Sequence, residues 1–213
     1  FSSQQDDIIA GIHHATCLLY GIHEEVQELR GAKDDGHADD GHLHEAVDCL
    51  LEFLDMLWTR LPEDLERELF LLKKNSGASK GKGSGNVLDH LLTSASYAAN
   101  ILRVYSERGV NRRRLLLLNV IKTITDGLDT AGRHAGAFAG QKAEKEKVTK
   151  PAIMNIFRAD FSDTKGSEEQ DKARARIMDL LCTLAVQTVT LLRNFSLDST
   201  GRKELIKCRS VCA

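Results

Sequence analysis

The chain has 213 residues, of which 42% are hydrophobic and 28% charged, and these values are typical of a globular protein rather than a disordered one. Its 29 Lys and Arg residues against 31 Asp and Glu residues give a net charge of −2, which argues against a protein that coats nucleic acid or an acidic membrane. Because it contains only 2 prolines and 5% aromatic residues, the composition favours an all-α fold.

Apolar residues that recur at alternate steps of four and three predict a series of helices. In chain order these cover about 6–29, 43–61, 62–74, 87–107, 111–128 and 171–194. Pro62 is predicted to end the second helix and to open the third. Short helices are also predicted after Pro151 and after the turn at 198–200. The prediction is an all-α helical bundle built on a long N-terminal hairpin, residues 5–61.

One segment divides the chain by composition. Residues 75–86, with the sequence NSGASKGKGSGN, contain glycine, serine and lysine but almost no apolar side chain. Segments of this kind act as flexible linkers. The sequence therefore predicts an N-terminal unit over 1–74 and a C-terminal helical region over 87–213, either as separate units or as parts of one bundle.

Two pairs of acidic residues are the strongest candidate site. Glu25 and Glu28 lie three residues apart near the end of the first predicted helix, and Glu45 and Asp48 have the same spacing near the start of the second. Side chains three residues apart lie on neighbouring positions of a helix. If the two helices form an antiparallel hairpin, the four carboxylates converge, and such a cluster suits Mg²⁺.

The segments 22–29 and 43–50, which carry these pairs as E-x-x-E and E-x-x-D, resemble the MazG-like all-α nucleotide pyrophosphohydrolases; the all-α dimeric dUTPases and dCTPases are similar. The resemblance covers roughly residues 12–75. It implies Mg²⁺-dependent cleavage of a nucleoside triphosphate to a monophosphate and pyrophosphate. The implied residues are Glu24 and Glu25 as catalytic carboxylates, Glu25, Glu28, Glu45 and Asp48 as metal ligands, and, more weakly, Lys73 and Lys74 as phosphate contacts.

A solvated acidic helix face would produce the same pattern, and a second hypothesis is a non-enzymatic scaffold or self-assembling protein. Four arginines, Arg108, Arg112, Arg113 and Arg114, predict a basic patch for phosphate, RNA or an anionic membrane surface, and the alternative is a solvated helix start. The segment 106–109 together with the three consecutive arginines resembles a short stretch of influenza-type viral matrix proteins. Under either hypothesis the apolar helix stripes predict a homo-oligomer.

A second candidate metal site is the segment around His37, His42 and His44, where four aspartates lie between 34 and 40. The alternative is a solvated polar loop. His13, His14 and His23, on the first helix, are predicted to be surface or boundary residues.

The cellular location is predicted from two features. Five cysteines, an odd number, predict reduced thiols in a cytoplasmic or other intracellular protein, although secretion stays open because the chain begins at Phe1 without Met. No apolar run approaches the roughly 18 to 20 residues that cross a bilayer, so no transmembrane segment is predicted.

Overall fold

The computed structural model describes residues 2–31, 41–74, 85–138 and 168–208, and within these it is entirely helical apart from short turns. Seven helices occur in the described part of the chain. They are α1 (Ser2–Gly31), α2 (Gly41–Lys74), α3 (Gly85–Tyr105), α4 (Gly109–Leu117), α5 (Val120–Phe138), α6 (Glu168–Ser196) and α7 (Ser199–Lys207). The prediction of an all-α bundle is confirmed.

Helix α3 is the central element of the bundle. It packs against α6, α1 and α2, while α2 also packs against α5. Its small side chains Ala95, Ala98 and Ala99 are fully buried, which lets neighbouring backbones approach closely. These helices form one hydrophobic core. Its side chains come from α2, which precedes residues 75–84 in the sequence, and from α3, α5 and α6, which follow them. The division of the chain at 75–86 stays a prediction, because residues 75–84 lie outside the described part.

The first two helices differ from the predicted hairpin in what they contact. Both α1 and α2 have α3 as a principal packing partner, whereas their contact with each other is at most minor among the described residues. The apolar stripe predicted on the first helix is correspondingly divided. Ile12 and Leu19 pack against the core, but Ile8 and Ile22 are more than half exposed. The spacing alone therefore grouped residues that lie on two adjacent faces of α1.

The predicted helix boundary at Pro62 is wrong, because α2 continues through that residue to Lys74. A proline inside a helix removes one backbone hydrogen bond and clashes with the preceding turn, which costs about 3 kcal/mol. Leu61 and Leu65, on either side of it, are both buried in the core. Burial of these leucines on α3 and α5 offsets the local cost, so the helix does not stop.

The predicted fifth helix, 111–128, is in fact two helices, α4 and α5, which meet at Leu118 and Asn119. Asn119 has φ of 56° and is the one non-glycine residue in the described chain with a positive φ. Asparagine tolerates this left-handed conformation better than most residues. The backbone therefore turns at Asn119, and α5 leaves in a new direction to pack against α2.

The C-terminal helix α7 begins at Ser199, within the turn at 198–200 after which the sequence predicts it. Asp198 is its N-cap, and the carboxylate accepts a hydrogen bond of 2.8 Å from the backbone N–H of Thr200. This bond is the main cause of the lowered pKa of Asp198, to which Arg113 and Arg112 contribute weakly. The short turn thus fixes α7 against the end of α6.

Candidate functional site

The acidic residues predicted as metal ligands are only partly described by the structure. Glu45 is exposed on α2, whereas Asp48 is half-buried and forms an ion pair of 3.2 Å with Arg114 on α4. The side chains of Glu25 and Glu28 lie outside the described residues. Within the part of the chain that is described, no group of three or more His, Cys, Asp or Glu side chains is arranged to hold a metal ion. Convergence of the four carboxylates therefore stays a prediction.

Glu24, a predicted catalytic carboxylate, makes a specific contact within its own helix. Its carboxylate accepts a hydrogen bond of 2.5 Å from the hydroxyl of Tyr20, one turn earlier. This bond and partial burial raise the pKa of Tyr20, and its ring packs against Tyr97 on α3 with centroids 5.2 Å apart. Glu24 thus helps to fix a ring at the interface between α1 and α3.

Other candidates of the sequence analysis fall outside the described side chains. Lys73 and Lys74 are the last residues of α2, and nothing further is described of them. His37 and the aspartates beside it lie outside the described residues, and the side chains of His42 and His44 do as well. Neither the phosphate contact nor the histidine metal site is tested by the structure.

Two of the four arginines predicted as a basic patch make specific contacts within the protein. Arg112 donates two hydrogen bonds, of 2.9 and 2.7 Å, to the carbonyls of Ser106 and Glu107. It thereby caps the end of α3, where helix carbonyls lack partners within the helix. Arg114 forms an ion pair with Asp48, while Arg108 and Arg113 are exposed. Two of the four arginines therefore make contacts within the protein, and the binding of an anion by the four stays a prediction.

The interface between α1 and α3 contains a partly buried polar cluster that the sequence did not reveal. Nδ1 of His13 lies 2.7 Å from Oγ of Ser94, and the His13 ring lies 4.9 Å from that of His90. Burial, followed by the charge of His90, lowers the pKa of His13. His23, which was expected at the surface or boundary, is fully buried, so that expectation is wrong for this residue.

A groove of about 710 Å³ lies between α2 and α5. Its walls come from both helices and from the turn that precedes α5. The lining residues are Asp55, Trp58, Thr59 and Pro62 from α2, and Asn119, Lys122, Thr123, Asp126, Gly127 and Thr130 from the other wall. None of them was a candidate in the sequence analysis.

Trp58 occupies the floor of this groove because Gly127 leaves room for it. A Cβ atom added at Gly127 would lie 2.2 Å from Cδ2 of the Trp58 ring, so no residue with a side chain fits there unless the ring moves. Trp58 is only 6% exposed, and its indole N–H has no hydrogen-bond partner among the described residues. A buried donor without a partner costs roughly 1–3 kcal/mol. The sequence analysis missed this contact, and the only signals that could have indicated it are the single tryptophan of the chain and a glycine inside a predicted helix.

The second surface of interest is one face of α1 that no described element covers. We call it the open face of α1 and define it as Ile8, Gly11, Ala15, Leu18 and Ile22, all of which are exposed. The three large side chains, Ile8, Leu18 and Ile22, are 57%, 55% and 56% exposed. They follow one another at the helical steps that place residues on one side of a helix. An apolar stripe about four turns long therefore faces outward, beside the stripe that packs on α3.

One helical segment in the described part, Asp171–Ser196, has the length and mean hydropathy of a membrane span, with a mean hydropathy of 1.5. A core helix meets the same criterion, and 44% of this segment's apolar window is buried inside the protein. Much of α6 lies against α3, so its apolar residues already have a role in the core.

Comparison of the chain with protein-family models, with curated proteins and with solved structures gives no match. The resemblance to the MazG-like pyrophosphohydrolases over roughly residues 12–75 stays a prediction.

Proposed function

We propose that the protein is a non-catalytic helical assembly protein that self-associates through the open face of α1. The observation that carries the proposal is the exposure of three large apolar side chains, Ile8, Leu18 and Ile22, on one side of a long helix. Exposed apolar area of this kind contributes about 25 cal/mol per Å² when it is removed from water. Contiguous apolar surface of this kind is typical of an interaction site.

The spacing of the open face favours a helix as its partner. From Ile8 to Ile22 the residues follow at steps of three, four, three and four, which is the pattern of positions that meet in a helix–helix seam. Such a seam needs a partner of the same periodicity. A second copy of α1 supplies that periodicity along the full length of the stripe.

The sizes of the side chains also favour a second copy. In an antiparallel pair centred on Ala15, Leu18 of one protomer lies over Gly11 of its partner, and Ile8 lies opposite Ile22. Gly11 has nothing within 4 Å of the position where a Cβ would be, so packing inside the protein does not require a glycine there. A glycine in a helix interior costs about 1 kcal/mol relative to alanine. Close approach of a second helix gives that residue a role.

Replacement of Leu18 with lysine tests the proposal. We expect the wild-type protein to sediment as a dimer or larger species at micromolar concentration, and Leu18→Lys to sediment as a monomer, because a charge at the centre of the seam must be desolvated on association. Leu117→Lys is the matched control: Leu117 is an exposed leucine on α4, and this change should leave the sedimentation unaltered. A wild-type monomer throughout this range would contradict the proposal.

The Mg²⁺-dependent nucleotide pyrophosphohydrolase is the second candidate function. It is supported by the presence of both acidic pairs inside helices, α1 and α2, that share α3 as a packing partner. Glu45 is exposed, and Oδ1 of Asp48 has no hydrogen-bond partner among the described residues. The ion pair between Asp48 and Arg114 opposes this function, since a guanidinium competes with a cation for the same carboxylate.

Calorimetry distinguishes the two functions. If the protein is a pyrophosphohydrolase, Mg²⁺ binds with measurable heat in the presence of a nonhydrolysable nucleoside triphosphate, and Glu45→Gln/Asp48→Asn abolishes that heat because both ligands lose their charge. The matched control is Glu52→Gln/Asp55→Asn, which changes two exposed acids further along α2. Absence of heat in the wild type would eliminate the enzyme and leave the assembly function unaffected.

A further inference from the structure

The sequence from α6 into α7 repeats the sequence from α3 into α4. Residues 87–116 read VLDHLLTSASYAANILRVYSERGVNRRRLL, and residues 177–206 read IMDLLCTLAVQTVTLLRNFSLDSTGRKELI. The two segments align without a gap, ninety positions apart, and nine of the thirty pairs are identical. Several other pairs exchange one apolar residue for another at the positions that helical spacing places on the same side.

The two segments also share their local structure. Both α3 and α6 end in a short turn that leads into a helix of 9 residues, α4 or α7. In both, an arginine of the short helix donates a hydrogen bond of 2.9 Å to a serine carbonyl six residues earlier, from Arg112 to Ser106 and from Arg202 to Ser196. The pair α3–α4 and the pair α6–α7 are therefore two copies of one structural unit, and residues ninety positions apart are equivalent.

The first copy of the unit shows where a neighbouring helix packs on it. Asp89, near the start of α3, forms an ion pair of 2.8 Å with Arg176 of α6, and the side-chain amide of Asn194 of α6 donates a hydrogen bond of 3.0 Å to the carbonyl of Arg103, near the end of α3. The two helices therefore run parallel, and the side of α3 that carries Asp89 faces α6. Ser96, seven residues after Asp89 and on the same side of the helix, is only 9% exposed.

The equivalent side of α6 is uncovered in the part of the chain that the structure describes. We call it the open face of α6 and define it as Asp179, Val186, Val189 and Arg193, all of which are exposed. Val186 and Val189 are 48% and 43% exposed, whereas Ser96, the equivalent of Val186, is buried. The side that packs against a helix in the first copy is thus open in the second, and its central residue is more apolar there.

The charges of the open face of α6 are self-complementary. Asp179 and Arg193 lie seven residues before and seven residues after Val186, so the three side chains share one side of the helix. Neither charged side chain forms an ion pair among the described residues. In an antiparallel pair of α6 helices centred on Val186, Asp179 of each copy lies opposite Arg193 of the other. A parallel pair would instead bring like charges together.

We propose that a second copy of this chain covers the open face of α6, as an antiparallel pair of α6 helices. The contact is isologous, and it adds to the self-association proposed through α1 without depending on it. The open face of α1 is a poorer occupant, because none of its defining residues is charged and it offers no partner to Asp179 or Arg193. Two partly exposed valines present less apolar area than the three large side chains of α1, so the contact through α6 is the weaker one and joins dimers only at higher concentration.

Reversal of the two charges tests the proposal in the full chain. Leu18→Lys serves as the background, because it removes the contact through α1. We expect this protein to dimerise with a dissociation constant on the order of 100 µM in analytical ultracentrifugation. Asp179→Arg alone, or Arg193→Asp alone, should weaken that dimer by at least about ten-fold, because each change brings two pairs of like charges together.

An equimolar mixture of the two variants is the decisive measurement. A mixed pair contains two pairs of opposite charges again, so the mixture should dimerise as well as the background protein does, which two misfolded variants could not do. Asp126→Arg and Lys122→Asp are the matched controls, since they reverse the charges of two exposed residues on α5 and should leave dimerisation unaltered. Circular dichroism verifies that each variant is folded.

Three results would overturn the proposal. They are a background protein that stays monomeric up to about 1 mM, a dimer that tolerates both charge reversals, and a mixture that dimerises no better than either variant alone. Failure of the contact through α1 gives a different result, because the wild type and Leu18→Lys would then sediment alike at micromolar concentration. The effects of the charge reversals at higher concentration would be unchanged in that case.

Discussion

Replacement of Gly127 with alanine is expected to destabilise the protein by about 1–3 kcal/mol, although alanine is the better helix former. The added Cβ would lie 2.2 Å from Cδ2 and 2.3 Å from Cγ of Trp58, so the indole must move away from α5. The ring is packed between α2 and α5 and has little room to move. Urea denaturation followed by circular dichroism measures the loss, and Trp58 emission should shift at the same time.

The control for this prediction is Gly21→Ala on α1. Gly21 also lies inside a helix, but nothing is within 4 Å of the position of its Cβ. Alanine there should stabilise the protein by up to about 1 kcal/mol. In a Trp58→Ala background the further change Gly127→Ala should cost nothing, because Cγ, Cδ1 and Cδ2 of the indole, the atoms that the new Cβ would overlap, are absent. If Gly127→Ala were as stable as Gly21→Ala, the close packing of Trp58 on α5 would be contradicted.

The helices themselves were predictable because their periodicity is local. The stripe of Leu50, Leu54, Leu57 and Leu61 predicted a buried face of α2, and all four side chains are buried in the core. The last predicted helix likewise begins beside Asp198, whose side chain caps it. In both cases the signal and the structure lie within a few residues of each other.

Two boundaries were wrong because tertiary contacts outweigh local preference there. Pro62 is a strong local reason to end a helix, but the burial of Leu61 and Leu65 continues α2 through it. Asn119 is a weak local signal, yet the left-handed conformation at this residue separates α4 from α5. Neither outcome follows from propensity, since each depends on which helix lies opposite.

The candidate sites were less predictable than the fold because their partners come from distant parts of the chain. Four consecutive or nearby arginines suggested a patch, but Arg114 pairs with an acid 66 residues away and Arg112 caps the preceding helix. The groove between α2 and α5 depends on the contact between Trp58 and Gly127, and no spacing in the sequence predicts that contact. The contacts of Arg112 and Arg114, and the meeting of Trp58 with Gly127, depend on the tertiary structure and could not be predicted from local sequence.

Replacement of Leu102 with alanine is expected to cost about 3–5 kcal/mol, the largest effect that we predict. Leu102 is fully buried on α3, the helix against which α1, α2 and α6 all pack. Removing three carbon atoms there leaves a cavity that rigid neighbours cannot fill. Because folded domains are stable by only about 5–15 kcal/mol, the loss is a large share of the total. Urea denaturation followed by circular dichroism measures it, with Leu117→Ala on the exposed side of α4 as a control of less than about 0.5 kcal/mol.

The same experiment determines whether the chain unfolds as one body. Circular dichroism reports on all helices, whereas Trp58 emission reports on α2 and α5 alone. Since one core joins α2 with α3, α5 and α6, Leu102→Ala should shift both transitions to the same lower urea concentration. If the Trp58 transition stayed at its wild-type midpoint while the dichroism moved, α2 and α5 would form an independent unit. In that case Leu102 would stabilise only the helices that pack directly on its side of α3, and the shared core would not be cooperative.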